Sequence, residues 1–324
     1  MKRLLLILPI CLISLTTFAQ RIEGTAAFRQ INSDSYVKLH FENDFFTHTD
    51  WYYSQGISSE LVNPVFAKNP LNKILLRLDN ASEGNKKYGI DLQVNAFTPT
   101  DIVKQEILIN DRPFAATISV KSFLISNNFA TRTRLSSGVV LGVIGPLALG
   151  KEIQTMIHRW IDNYLPLGWP NQIKNDVILN YNVNHEKLLF DFGNYLAVNT
   201  NVQVRIGTLS DKVQVGATIM AGKYTSPFIR SDKPNGKRFQ LYAYSQPLFS
   251  FVAYDATMQG GMFNRNSPYT VNASEVARVT FENQTGIVLQ LHKFHMEGFL
   301  CLLTKEFNAG RMHRWGGVKL GFEF

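Results

Sequence analysis

The chain has 324 residues, 33 Lys and Arg against 25 Asp and Glu, a formal net charge of +8, two cysteines and 23 Phe among 12% aromatic side chains. Cys11 lies in an N-terminal leader and leaves Cys301 without a partner, which excludes a disulfide scaffold. No stretch beyond the leader approaches the roughly 18 apolar residues of a spanning helix, which excludes a helical membrane protein.

The leader reads MKRLLLILPICLISLTTFAQ. Lys2 and Arg3 precede an apolar run from Leu4 to Leu15, and Thr17-Phe18-Ala19 supplies the small-residue site of a signal peptide cut after Ala19. The domain organisation that follows is a signal peptide at 1–19 and a single domain at 20–324. Export excludes nucleic acid as the partner of the basic charge. The charge fits the phosphates of lipopolysaccharide or a plain solubilising excess, and on charge alone both stay open.

Period-two alternation then recurs along the chain. In Tyr36–Asp44, Val37, Leu39 and Phe41 share one face and Lys38, His40, Glu42 and Asp44 the other. Ile90, Leu92 and Val94 oppose Asp91, Gln93 and Asn95; Val202, Val204 and Ile206 oppose Gln203 and Arg205. Faces this rich in amides and charges suit a hydrated interior with lipid outside. The chain closes on GGVKLGFEF, an amphipathic strand with a terminal phenylalanine. The pattern predicts an all-β fold, a closed antiparallel transmembrane β-barrel of about 12 strands in the outer membrane. The strands fall near 35–46, 52–63, 86–97, 114–126, 131–145, 176–188, 190–208, 211–224, 237–257, 275–291, 294–305 and 312–324. With both termini periplasmic, the outer loops fall near 47–51, 98–113, 146–175, 209–211, 258–274 and 306–311.

One outer loop breaks the β pattern: GVIGPLALGKEIQTMIHRW, Gly142 to Trp160. Its second half predicts a short extracellular helix. Ile153, Ile157, Trp160 and Ile161 form an apolar stripe, either packed on the barrel rim or dipped into the outer leaflet. Gln154 and His158 share another face, with Asp162 one turn on, so that His158 faces a crevice between helix and wall. A lone histidine of this kind is either structural or a general base. Polar residues at the same rim are Asn43 and Asp44, Thr49-Asp50, Ser54, Lys104 and Arg112, each of which also has an ordinary turn or loop reading. There is no G-x-S-x-G elbow, H-E-x-x-H, P-loop or Cys/His metal spacing.

Taken in order, FEND, YSQG, NDRPFA, GVIGP, KEIQ with the following HR, and GWPNQI resemble the outer-membrane lipid A 3′-O-deacylase family across nearly the whole mature chain. The resemblance implies a monomeric twelve-stranded barrel with lipid A (lipopolysaccharide) as substrate, set among outer-membrane lipids. It removes the ester-linked 3′ acyloxyacyl chain in the outer leaflet, with Ca2+ as cofactor. It implies catalytic roles for His158, Asn43, Asp44 and Ser54, substrate contacts from Lys104, Arg112 and Gln154, and metal contacts from Asp44 and Asp162. His158 acts as base on water, its tautomer set by Glu152, Gln154 or Asp44. Where the family carries a glutamate six residues after the histidine, this chain has Tyr164, and Asp162 is the substitute acid. Alternatives are Ser54 as nucleophile, a phospholipase-like barrel, and a non-enzymatic pore or receptor.

Overall fold

A computed structural model describes residues 31, 33–47, 49, 51–78, 86–193, 195–228 and 239–324. The predicted signal peptide and Asp50 lie outside the described residues. Twelve strands among them are β1 (Tyr36–Asn43), β2 (Tyr52–Val62), β3 (Lys86–Thr98), β4 (Ala115–Asn128), β5 (Thr133–Ile144), β6 (Asp176–Phe192), β7 (Leu196–Gly207), β8 (Ser210–Lys223), β9 (Phe239–Asp255), β10 (Val279–Leu291), β11 (Phe294–Leu303) and β12 (His313–Glu323). Each pairs antiparallel with its sequence neighbour, and β1 closes on β12 from Tyr36↔Glu323 to Asn43↔Gly316. Closure satisfies every ladder and leaves no edge to lipid.

The alternation has the inside-out sense. Leu39, Phe41, Val120, Leu141, Phe249, Phe251, Leu320 and Phe322 project outward and are exposed. Inward positions hold buried ion pairs: Lys38–Glu60 at 2.9 Å, Arg134–Glu186 at 2.6 Å, Lys121–Asp91 at 3.3 Å and Lys319–Glu297 at 2.9 Å. These pairs and the amides among them fill the lumen, so that the cavities beside Lys38 and Arg112 amount to about 40 and 90 Å³. A lumen packed in this way does not suit a solute pore.

Several element ends differ from the sequence expectation, and two of them have a clear local reason. The first strand stops at Asn43 rather than 46, because the Asn43 Oδ1 accepts the Phe45 N–H at 2.7 Å and turns the chain into a 3-10 turn, Asp44–Thr47. β6 runs on to Phe192 rather than 188, carried past a register shift at Leu188/Phe190 in its pairing with β7. The interruption after β5 is the expected helix, α1 (Gly150–Trp160), at the end of the barrel carrying the long connections.

Candidate active site

Gly145 ends β5 with φ 106°, and a Cβ there would lie 2.6 Å from the Asn175 nitrogen. Pro146 then starts a 3-10 turn, Pro146–Ala148, and Leu149 takes a left-handed conformation at φ 59° before α1 begins. Gly150, the first helical residue, permits a close approach: a Cβ would meet the Ala116 methyl at 2.4 Å and the Trp169 ring at 2.7 Å. The indole of Trp169 is fully buried with Ile102, Phe114, Ala116 and Ala148. Its Nε1 donates to the Gln154 Oε1 at 2.8 Å. Glycine, tryptophan and glutamine together fix how far the helix stands from the wall.

The helix buries its Gly150–Gln154–His158 face and turns Met156 (63% exposed) and Trp160 (86% exposed) away. The apolar stripe is divided between the two placements: Ile153 and Ile157 are half-buried, while Trp160 and Ile161 are exposed. The polar face meets a crevice of about 570 Å³ whose lining includes Asn43, Asp44, Ser54, Gln154, His158 and Asp101. Five residues singled out in the sequence, drawn from β1, the turn after it, β2 and α1, therefore share one cavity.

His158 is buried, and its Nδ1 lies 2.6 Å from the carbonyl oxygen of Tyr164. A carbonyl only accepts, so Nδ1 carries the proton and Nε2 is left with a lone pair. The carbonyl comes into reach because the helix ends in a reversal. Asp162 sits at φ 54°, the Asn163 N–H donates to the His158 carbonyl at 2.8 Å, and the Tyr164 N–H donates to the Asn163 Oδ1 at 2.8 Å. This six-to-one bond over a left-handed residue is the Schellman closure of a helix. None of the three side chains considered for setting the tautomer makes this bond. Glu152 is exposed, and the Gln154 Oε1 is taken by Trp169.

On the opposite wall, the Asn43 Nδ2 donates to the Ser54 carbonyl at 2.7 Å and ties β1 to β2. Ser54 falls at a register shift between Tyr53 and Gln55 in the β2–β3 pairing, a bulge of the kind that re-aims a side chain. Its hydroxyl lies 2.5 Å from the Thr98 Oγ1. Asp44 is 2% exposed and faces the crevice. The Gln154 Nε2 is buried in the same lining and has no hydrogen-bond partner among the described residues.

Three expected residues are not in the cavity lining. Asp162 is exposed and serves as the helix stop. Lys104 is exposed and pairs with Asp101 at 3.4 Å, one residue beyond the lining Val103. Arg112 is 1% exposed: its guanidinium is ion-paired with Glu306, donates to the Thr257 Oγ1 at 2.6 Å and lies over the Phe97 ring. These contacts occupy Arg112 inside the barrel mouth, and the substrate contact expected of it is withdrawn. Sequence reasoning missed Thr98 and Asp101. Burial raises the Asp101 carboxyl, but the N–H groups of Val103 and Lys104 and the Lys104 ammonium together hold it below the ordinary carboxylate value.

The donor set is poor for calcium, which takes six to eight oxygens, several from carboxylates. Among the described residues no three His, Cys, Asp or Glu side chains group to hold a metal. With Asp162 turned to solvent, Asp44 is the one of the two expected metal ligands that faces the crevice. These residues do not fit a resident, tightly held calcium ion. Calorimetric titration of the purified barrel with CaCl2 should therefore show no site tighter than about 10⁻⁵ M; a saturable micromolar site would contradict this reading.

A closed barrel with a buried, oriented histidine in a crevice between its wall and an outer helix defines a class: an outer-membrane barrel with its candidate site at the rim. The family model for outer membrane protein LpxR matches residues 5–324. The chain belongs to that family, the lipid A deacylase family its motifs resemble, and it is an outer-membrane protein. Among solved structures, LpxR from Salmonella typhimurium aligns over 90% of this chain and 100% of its own at 19% identity and a TM-score of 0.71. The β domain of the Bordetella autotransporter BrkA aligns over the same shares at 8% identity and a TM-score of 0.43. No curated protein sequence matches the chain.

Proposed function

We propose that the crevice hydrolyses the ester holding the 3′ acyloxyacyl chain of lipid A, with water as nucleophile and His158 as general base. The observation carrying this reading is the 2.6 Å bond from His158 Nδ1 to the Tyr164 carbonyl, which leaves Nε2 as an acceptor in a cavity open at the rim. A proton passes from water to Nε2 as the water oxygen attacks the ester carbonyl. The tetrahedral intermediate then collapses, the bond to the sugar oxygen breaks, and the imidazolium returns the proton to that oxygen. The charge growing on the carbonyl oxygen needs fixed donors. The unpartnered amide Nε2 of Gln154 is suited to this, and the Ser54 hydroxyl adds a second donor when the Thr98 hydroxyl donates to the Ser54 Oγ. Lys104, held at the edge by an exposed pair worth little, is free to swing onto a lipid A phosphate. No step is routed through calcium.

Water is preferred to Ser54 as nucleophile because the Ser54 hydroxyl contacts Thr98 and not His158. Hydroxylamine added during turnover should trap no acyl group on the protein; a hydroxamate dependent on Ser54 would reverse this preference. The substrate is tested with the purified barrel in detergent, offered lipid A or phosphatidylethanolamine. Release of the acyloxyacyl acid from lipid A, without lysophospholipid, is the predicted result. Lysophospholipid alone would move the protein to the phospholipase-like alternative.

A further inference from the structure

The connection between β2 and β3 leaves the barrel end opposite α1, yet part of it lies on the barrel's outer wall. Two 3-10 turns, Pro64–Lys68 and Pro70–Lys73, are each capped by the preceding Asn63 or Asn69 and begin with proline. Beyond them, Leu75 packs against Leu124 of β4 and Val139 of β5, flanked by Tyr88 and Tyr181. Leu124 and Val139 lie on the lipid face, since Val120, four residues before Leu124, and Leu141, two after Val139, share those faces, pair with each other and are exposed.

The wall under this strap carries hydroxyl side chains among the apolar ones. Ser122, Ser126 and Ser137 point outward and are nevertheless 7%, 0% and 2% exposed. The strap satisfies them: the Asn69 Nδ2 donates to the Ser122 Oγ at 3.0 Å, the Leu78 N–H to the Ser126 Oγ at 3.0 Å, and the Ser137 hydroxyl donates to the Leu76 carbonyl at 2.7 Å. The Tyr181 hydroxyl bridges the same segment, donating to the Ile74 carbonyl at 2.8 Å and accepting from the Leu76 N–H at 2.9 Å. Three unpaired outward hydroxyls would be costly against hydrocarbon. The strap is thus docked by a polar seam and is part of the folded wall.

Its other side is amphipathic. Val65 (60%), Ile74 (59%) and Leu76 (53%) are exposed large apolar side chains, interleaved with exposed Lys68, Lys73 and Arg77. The surface is continuous with the lipid-facing wall and lies toward the barrel end that carries the termini. Apolar side chains alternating with cations on an element lying along a membrane protein match the boundary between acyl chains and phosphates. We propose that the strap Pro64–Leu78 is an interfacial anchor seated in the periplasmic leaflet of the outer membrane, with Lys68, Lys73 and Arg77 binding the phosphates of anionic phospholipid. This assignment does not depend on the chemistry of the crevice.

The test uses the full-length mature barrel with Ile74→Cys carrying a nitrobenzoxadiazole fluorophore, Cys301 being buried and wild-type labelling serving as background. The protein is reconstituted in phosphatidylcholine vesicles with or without phosphatidylglycerol, each prepared with and without nitroxide lipid labelled near the headgroup. Retained shift of the unheated band on gels reports a folded barrel. The expected result is strong quenching by nitroxide lipid that deepens when nitroxide phosphatidylglycerol is the carrier. That preference is lost when Lys68→Gln, Lys73→Gln and Arg77→Gln are combined. Emission unquenched and red-shifted, as in water, overturns the membrane seat. Equal quenching by zwitterionic and anionic carriers, or a preference that survives the triple change, overturns the anionic-phosphate assignment.

Discussion

Replacing His158 with alanine should lower the rate of lipid A deacylation by about 10²–10⁴-fold while leaving the barrel folded, because the general base is lost and no other group takes the proton. The side chain contributes little to the β wall: it sits on α1 and, among the described residues, bonds only to the Tyr164 carbonyl in its own loop. Gel mobility of unheated protein should therefore match wild type, while acid release from lipid A, followed by mass spectrometry, falls toward background. His158→Gln is the informative companion. An amide can still donate to the Tyr164 carbonyl but is no base at neutral pH, so it should restore loop order without restoring turnover. Activity near wild type in either variant would remove His158 from the chemistry.

The second large effect is expected at Trp169. Its indole is 0% exposed, packs edge-tilted on Phe114 with ring centroids 5.0 Å apart, and holds Gln154 through its Nε1. Trp169→Ala should cost about 3–5 kcal/mol, the range for truncating a large buried aromatic. The loss is local, since this cluster joins α1 and the outer loop after β3 to the wall. The expected outcome is a barrel that keeps its gel shift while protease cuts the 145–175 loop far faster, with activity lost through the displaced Gln154 and His158. Trp169→Phe separates the two roles: it keeps most of the packing, removes the hydrogen bond, and should cleave slowly while still lowering turnover. Unchanged proteolysis in Trp169→Ala would contradict the part given to this tryptophan.

The barrel was legible because its physics is written with period two. Lumen positions such as Lys38, Glu60 and Glu297 must be polar, and lipid positions such as Leu39 and Phe251 apolar, so the strand number follows from alternation. The side chains of the crevice were legible in part. Asn43, Asp44, Ser54, Gln154 and His158 stand in recognisable motifs, and the topology brings them into one cavity. Arg112 was misplaced because Asn-Asp-Arg-Pro marks a turn without saying which way its guanidinium folds. The direction depends on Glu306, almost two hundred residues later. The orienting group of His158 was hidden for a different reason: it is a main-chain carbonyl, and no residue type announces it. Looking for an acid six residues on found Tyr164 and a mismatch, yet at that position the backbone makes the bond. The strap on the outer wall was not read from the sequence at all. Its meaning lies in outward serines that period two alone marks as lipid-exposed.

The central claim, that the crevice removes an acyl chain from lipid A, is tested most directly by extracting lipid A from a Gram-negative host expressing the wild-type chain and measuring its mass. The account predicts a new species lighter by one 3′ acyloxyacyl chain, absent from cells expressing the His158→Ala protein. Lipid A of unchanged mass, in cells whose outer membrane holds the folded wild-type barrel, would contradict it.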